Sequence, residues 1–315
     1  MSDLDLAALV SRAANGDAPA RRRLAARLAE NPLQQALFGA APELLADHLL
    51  GYAALTPVCR AGLSQCGIGR PGDAYLFDML LPLLRFFHPR VMAAQRPYLI
   101  GLAGGPGAGK TTLSRLLARC LGAMIAPEPV CLSLSLDDFY RPKEERLRRG
   151  FKWRTPPGTH DTERLADFIA ELDRPGPAAL AVPRYDLGRD APMADETLTV
   201  RPDICIFDGA MVGSRLPGYD VLAQRLDFMI FLDLPLPLLK HWRFERERRL
   251  REASGGRIGF SEPDMHAFWD EALGPCFEAW VLPNTKMADL VLGIDGTRQI
   301  TAARRPLACA TEGGR

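Results

Sequence analysis

The chain has 315 residues, 47% of them hydrophobic and 24% charged, which excludes disordered and collagen-like classes and allows a sizeable core. Lysine plus arginine number 39 against 38 acidic residues, a net charge of +1. No global field therefore draws the protein to nucleic acid or a membrane, and any anion site must be local.

The seven cysteines form an odd set without a Cys-x-x-Cys pair, which argues against a disulfide framework or zinc site and for a reducing, cytoplasmic setting. The start, Met1-Ser2-Asp3-Leu4-Asp5, lacks the basic region and apolar run of a signal peptide. The most apolar later stretch, Phe228 to Leu239, is interrupted by Asp233 and two prolines and falls short of the roughly 20 residues a membrane span needs. A soluble protein without membrane contact is expected.

Residues 1–97 read as a helical N-terminal appendage, with leucine and alanine at three- and four-residue spacing and breaks at Asn31-Pro32 and Gly67 to Gly72. The nearly all-apolar segment Ala74 to Phe87 predicts a helix buried against the next domain. From Tyr98 the rhythm changes to β-rich runs alternating with amphipathic helices: Tyr98 to Ala103, Val130 to Leu136, Ile204 to Phe207, Phe228 to Asp233 and Leu290 to Ile294. This pattern predicts a three-layer α/β domain over 98–305, its central parallel sheet binding ligands at the strands' carboxyl ends. Residues 306–315 are expected to be a disordered tail.

Gly104-Gly105-Pro106-Gly107-Ala108-Gly109-Lys110-Thr111 fits Gly-x-x-x-x-Gly-Lys-Ser/Thr between an apolar strand and a helical segment. Glycines let backbone amides turn inward around a phosphate, and the helix N-terminus adds its partial positive charge. Lys110 supplies a charge to the β- and γ-phosphates of ATP, Thr111 a hydroxyl to Mg2+, and Thr112 completes the nucleotide-binding run. Asp208 ends the apolar run from Asp203 and is the expected second Mg2+ element.

The loop alone does not name a reaction. No asparagine begins the Asn-Lys-x-Asp pattern of guanine binding, and the His-Arg-Asp and Asp-Phe-Gly signatures of protein kinases are absent. Gly105-Pro106-Gly107-Ala108-Gly109-Lys110 breaks the dinucleotide fingerprint at its last position. Transfer to a small alcohol needs an acid near the γ-phosphate. Asp137 and Asp138 follow the second strand, and Phe139-Tyr140 beyond them suggests a walled pocket.

Leu136-Asp137-Asp138-Phe139-Tyr140 after the phosphate loop resembles the phosphoribulokinase and uridine kinase family, which also includes pantothenate kinase and D-glycerate 3-kinase. Pro157-Gly158-Thr159-His160-Asp161 most resembles the D-glycerate 3-kinases, and further similarity lies in Val182 to Asp186, Phe207 to Gly213, Trp242-Arg243 and Gly259-Phe260-Ser261. The resemblance implies ATP and Mg2+ as cofactors, Asp137 as catalytic acid and a small-molecule substrate, D-glycerate phosphorylated at its 3-hydroxyl. Asp138, Tyr140, His160, Asp161, Arg184 and Tyr185 are then the candidate substrate residues, with Arg184, Arg154 or Lys152 meeting the carboxylate. The chain departs from the family in Asp208-Gly209-Ala210, where the family has glutamate-glycine-tryptophan. It departs again in Leu187-Gly188-Arg189-Asp190, in place of a Gly-Arg-Gly-Asp-Arg stretch. A sugar, a nucleoside or a pantothenate-like alcohol remain alternative acceptors, and a nucleotide-binding regulatory ATPase is the rival class.

Arg141, Lys143, Arg146, Arg148, Arg149, Lys152 and Arg154 crowd one stretch. With the whole chain nearly neutral and no stacking motif interleaved, an anionic small substrate or a solvated flap fits better than nucleic acid. The helical run Lys240 to Glu252 is either a salt-bridged surface, with pairs Glu245/Arg249 and Glu247/Arg251, or a lid placing Arg243 on the transferring phosphoryl group. Ser261 with Asp264 reads as a helix cap. The oligomeric state and the role of residues 1–97 stay open.

Overall fold

The computed structural model describes residues 3–306 apart from 40–43, 70, 71, 175, 177 and 178. Its strands are β1 Tyr98–Gly104, β2 Cys131–Ser135, β3 Leu180–Val182, β4 Tyr185–Asp186, β5 Ala191–Pro192, β6 Glu196–Leu198, β7 Ile204–Asp208, β8 Phe228–Asp233, β9 Leu290–Ile294 and β10 Ile300–Arg304. Six form one sheet in the order β10-β9-β8-β1-β7-β2. All its pairings are parallel except that of β10 with β9. The five expected runs are all strands of this sheet. Strand β10 was not anticipated, because Ile300-Thr301-Ala302-Ala303-Arg304 is largely exposed and carries no apolar run.

Central strands β1 and β7 are buried along nearly their whole length, as strands covered by helices on both faces must be. The register sets Asp208 beside Leu102 on one side and Ser135 on the other. The carboxyl ends of β1, β7 and β2 therefore open at one edge.

The N-terminal layer comprises helices Asp3–Ala14, Ala18–Glu30, Pro32–Phe38 and Leu45–Gln65, then a helical run from Asp73 to Ala93 with a π-helical turn at Leu76–Leu80. Its breaks are capped: the Asp17 side chain accepts from Ala20 N at 3.0 Å and that of Asn31 from Leu33 N at 2.9 Å. The helix Leu81–Ala93 is buried as its sequence required, Phe86 lying 4.9 Å and Phe87 5.3 Å, ring to ring, from Phe228 of the sheet. Leu45–Gln65 lies against the helix after the phosphate loop, so closely that a Cβ on Gly62 would come within 2.6 Å of Leu116. One hydrophobic core thus runs from the N-terminal layer into the sheet.

No helix among the described residues is long and apolar enough to cross a membrane. The six described cysteines are free thiols. The tail expected from 306 lies outside the described residues beyond Pro306.

Candidate active site

At the end of β1 the chain turns through Gly104 to Gly109 into the helix Lys110–Met124. Gly107 (φ 84°) and Gly109 (φ 90°) adopt the left-handed region, which side chains make costly. Space is short as well, since a Cβ on Gly107 would meet Arg243 N at 3.1 Å and one on Gly105 would meet Leu239 Cδ1 at 2.3 Å. The glycines therefore serve both the curl of the loop and the close seating of the helix Leu236–Ser254 upon it. Lys110 Nζ donates to the carbonyls of Gly104 and Gly105, each at 2.9 Å. Burial pulls the Lys110 ammonium below the usual lysine range, against the attraction of Asp208 and Asp137.

Thr111 Oγ1 donates to Asp208 Oδ1 at 2.9 Å, and Ser135 Oγ lies 3.4 Å from the same oxygen. Burial pushes Asp208 up to about 6, offset in part by Lys110 and Thr111. A hydroxyl and a carboxylate beside a phosphate cradle are hard oxygen donors that suit Mg2+, which takes one or two carboxylates and completes its shell with phosphate and water. Among the described residues no group of three or more His, Cys, Asp or Glu could hold a metal by itself.

The two adjacent acids separate sharply. Ser135 caps the 3-10 turn Leu136–Phe139 in a capping box with Asp138, whose Oδ2 accepts from Ser135 N and Oδ1 from Tyr185 N, both at 3.1 Å. Asp138 does not line the cleft, whereas Asp137 does, along with Lys110, Thr111, Thr112, Tyr140, His160 and Asp208. This cleft encloses about 1450 Å³, more than the roughly 300–1,000 Å³ usual for one small ligand.

His160 is buried, stacked on Tyr140 with ring centroids 4.2 Å apart, its Nδ1 2.8 Å from the Tyr219 hydroxyl. Burial lowers its imidazole to about 4. Of the three cations considered for an acceptor carboxylate, Arg154 lines the cleft. Arg184 pairs with Glu196 at 2.7 Å and Asp138 at 3.6 Å, and Lys152 with Glu271 at 2.8 Å. Asp161 caps the helix Thr162–Asp173 and meets Arg141 at 3.5 Å, away from the cleft lining. Tyr185 also stays behind that lining, its hydroxyl donating to Asp190 at 2.7 Å.

Asp190 stands in the sequence only as the end of the Leu187-Gly188-Arg189-Asp190 departure, with no role attached. It holds Arg154 at 3.1 Å and the fully buried Arg146 at 2.5 Å, from a backbone with φ 56°. Burial alone would raise its carboxyl, but the Tyr185 hydroxyl and the charges of Arg154 and Arg146 outweigh it and hold Asp190 below the usual range. Much of the basic stretch is neutralised in the same way, with Arg141 and Arg149 both on Glu145.

The helix Leu236–Ser254 closes the phosphate side. Glu245 pairs with Arg249 at 2.9 Å as the spacing predicted, but Glu247 turns to Arg243 at 2.8 Å rather than to Arg251. Both neighbours stand one turn away, but Arg243 and Glu247 are both largely buried, at 13% and 7% side-chain exposure, and each without the other would be a costly unpaired charge. Burial also draws Arg243 down to about 10. One turn on, Arg246 lines the cleft with Arg243, and both charges oppose that of Lys110. Arg298, whose guanidinium stacks 3.8 Å from the Trp242 ring centre, lines the cleft near Gly109. Arg246 lies in the Lys240 to Glu252 run read as a surface or a lid, where Arg243 alone is singled out, and Arg298 stands in no motif.

Relatives place this geometry. A pantothenate kinase of Psychromonas ingrahamii is 28% identical over 258 residues, covering 69% of this chain and 78% of that protein. A D-glycerate 3-kinase from Cryptococcus neoformans var. grubii shares the fold with a TM-score of 0.55 at 19% identity, over 72% of this chain and 96% of that one. The YGR205w protein does so with a TM-score of 0.59 at 21% identity, over 73% and 98%. Residues 99–301, which hold every cleft group from β1 to the Trp242–Arg298 stack, match the Phosphoribulokinase / Uridine kinase family, and the chain belongs to that family of kinases.

Proposed function

We propose that the protein transfers the γ-phosphoryl group of ATP to the primary hydroxyl of a small hydroxycarboxylate, with D-glycerate, giving 3-phosphoglycerate, as the first candidate. The observation that carries this is Arg154, held by Asp190 at 3.1 Å and lining the same cleft as Asp137 and His160. A guanidinium fixed in the same cleft as an acid and an imidazole suits a carboxylate attached to the reacting alcohol. The loop amides and Lys110 would bind the phosphates, and Thr111 with Asp208 would hold Mg2+, which neutralises charge between the β- and γ-phosphates. Asp137 takes the proton of the acceptor hydroxyl as its oxygen bonds to phosphorus, and ADP leaves with the electrons of the broken bond. Arg243 and Arg246 face the charge gathering on the transferred group.

Pantothenate, also a primary alcohol with a carboxylate, is the competing acceptor. It is supported by the 28% identical relatives named for it and by the volume of the cleft. A coupled ADP-release assay over D-glycerate, L-glycerate, pantothenate, fructose, ribulose 5-phosphate and uridine tests the reading. D-glycerate should stimulate ADP release most. Stimulation by another alcohol alone would replace the acceptor, and turnover indifferent to every alcohol would favour a regulatory ATPase.

A further inference from the structure

We infer that Tyr219 fixes His160 as the tautomer protonated at Nε2, so that His160 serves as a neutral hydrogen-bond donor to an acceptor oxygen beside the reacting hydroxyl. The inference deepens the proposed kinase function and rests on it for the identity of the acceptor. Tyr219 is a positioning residue acting through His160.

The tautomer is set by where one proton goes. Tyr219 is 2% exposed, and its oxygen accepts the amide of Gly158 at 3.3 Å. Gly158 keeps its place with φ 95°, and a Cβ there would meet the Phe151 ring at 2.9 Å. The phenol is a weak acid here, since burial pushes it up to about 12. It thus always carries one proton, and the atom positioned to receive it is His160 Nδ1, 2.8 Å away. If Nδ1 were itself protonated, the phenol proton would be left without an acceptor in the core. Nδ1 protonation would strand the phenol proton and the Nε2 lone pair together, whereas Nε2 protonation leaves only the Nε2–H of a cleft-lining residue, a difference that favours the latter by about tenfold.

With Nδ1 accepting, Nε2 carries the hydrogen. Nε2 is buried and has no hydrogen-bond partner among the described residues, although a buried donor is normally paired. His160 lines the cleft, feels the charge of Asp137 and is stacked on Tyr140, 19° from parallel. Asp137 takes a proton and His160 offers one; a hydrogen bond donated to the reacting oxygen would weaken it as a nucleophile, so His160 addresses a different oxygen of the acceptor. His160 would therefore favour a group with an oxygen lone pair over one presenting only N–H.

Nitrogen-15 NMR of histidine-labelled protein reads the tautomer directly, the His160 signals among the five histidines being identified by their loss in His160→Gln. Without any acceptor, wild type should show Nε2 protonated and Nδ1 bare, and Tyr219→Phe should restore a mixture. With D-glycerate, Tyr219→Phe should raise the acceptor KM about tenfold while the KM for ATP holds. His160→Gln, whose amide nitrogen reaches the Nε2 position, should retain more acceptor affinity than His160→Asn. Protonation at Nδ1 in wild type, or equal losses in the Gln and Asn variants, would overturn the inference even if Tyr219→Phe does not fold. Should D-glycerate give no turnover at all, the NMR result still decides the tautomer, and only the acceptor assignment fails.

Discussion

Replacing Asp137 by Asn should lower kcat by about 10²-fold or more while the KM for ATP stays within about twofold, because the lost group acts on the acceptor's proton. The fold should barely notice, since no hydrogen bond or ion pair of the described residues uses the Asp137 carboxylate. The neighbouring change Asp138→Ala should do the reverse. Its carboxylate satisfies two amides, those of Ser135 and Tyr185, each at 3.1 Å, and losing both costs about 2–3 kcal/mol. A domain stable by about 5–15 kcal/mol survives that loss, and kcat per folded molecule should fall by less than about tenfold. Coupled ADP release with the stimulating acceptor gives the kinetic half, and urea unfolding gives the other. The reasoning fails if Asp138→Ala is the more damaging to kcat, or if Asp137→Asn shifts the urea midpoint as far as Asp138→Ala does.

Lys110→Ala should abolish detectable turnover with circular dichroism unchanged, since the half-buried ammonium is disfavoured by desolvation and its role in transfer is charge on the phosphate. Gly107→Ala should weaken ATP binding in calorimetry, because a left-handed residue with a Cβ 3.1 Å from Arg243 N costs about 1–3 kcal/mol or moves the loop. Arg154→Ala should raise the acceptor KM about tenfold or more and leave that for ATP unchanged, as expected for one lost charged hydrogen bond. His48, wholly buried with Nε2 2.7 Å from the Phe77 carbonyl, is lowered to about 4 by burial. The unfolded chain takes up its proton near 6.5, so its contribution is intact above that pH and is lost as pH falls toward 4, by up to about 3 kcal/mol. Urea midpoints at pH 7.5 and 4.5 should therefore differ less in His48→Gln than in wild type.

How far each feature could be read from the sequence depends on how local its requirement is. The phosphate loop was readable because its glycines answer a backbone demand within eight residues, and the parallel strands because burial on both faces leaves an unbroken apolar run. Strand β10 lies at an exposed edge and leaves no such run. The Asp137/Asp138 ambiguity had a signal that passed unused: Ser135-Leu136-Asp137-Asp138 is a capping box by spacing, which assigns Asp138 to the backbone. Arg184, Asp161 and Tyr185 belong to motifs, yet their side chains serve Glu196, a helix cap and Asp190. Sequence similarity cannot distinguish holding a wall from lining it. Tyr219 lies 59 residues from His160, and Asp190 lies 36 from Arg154. Pairings across such separations exist only after folding, so no local pattern records them.

Phosphorus NMR of the reaction mixture tests the central claim most directly, with ATP, Mg2+ and D-glycerate incubated with the wild-type protein. The account predicts ADP together with a new phosphomonoester whose signal is split into a triplet by the two protons of the carbon that bears it, as transfer to the 3-hydroxyl requires. Inorganic phosphate growing at the same rate with or without D-glycerate, and no phosphomonoester, would contradict it.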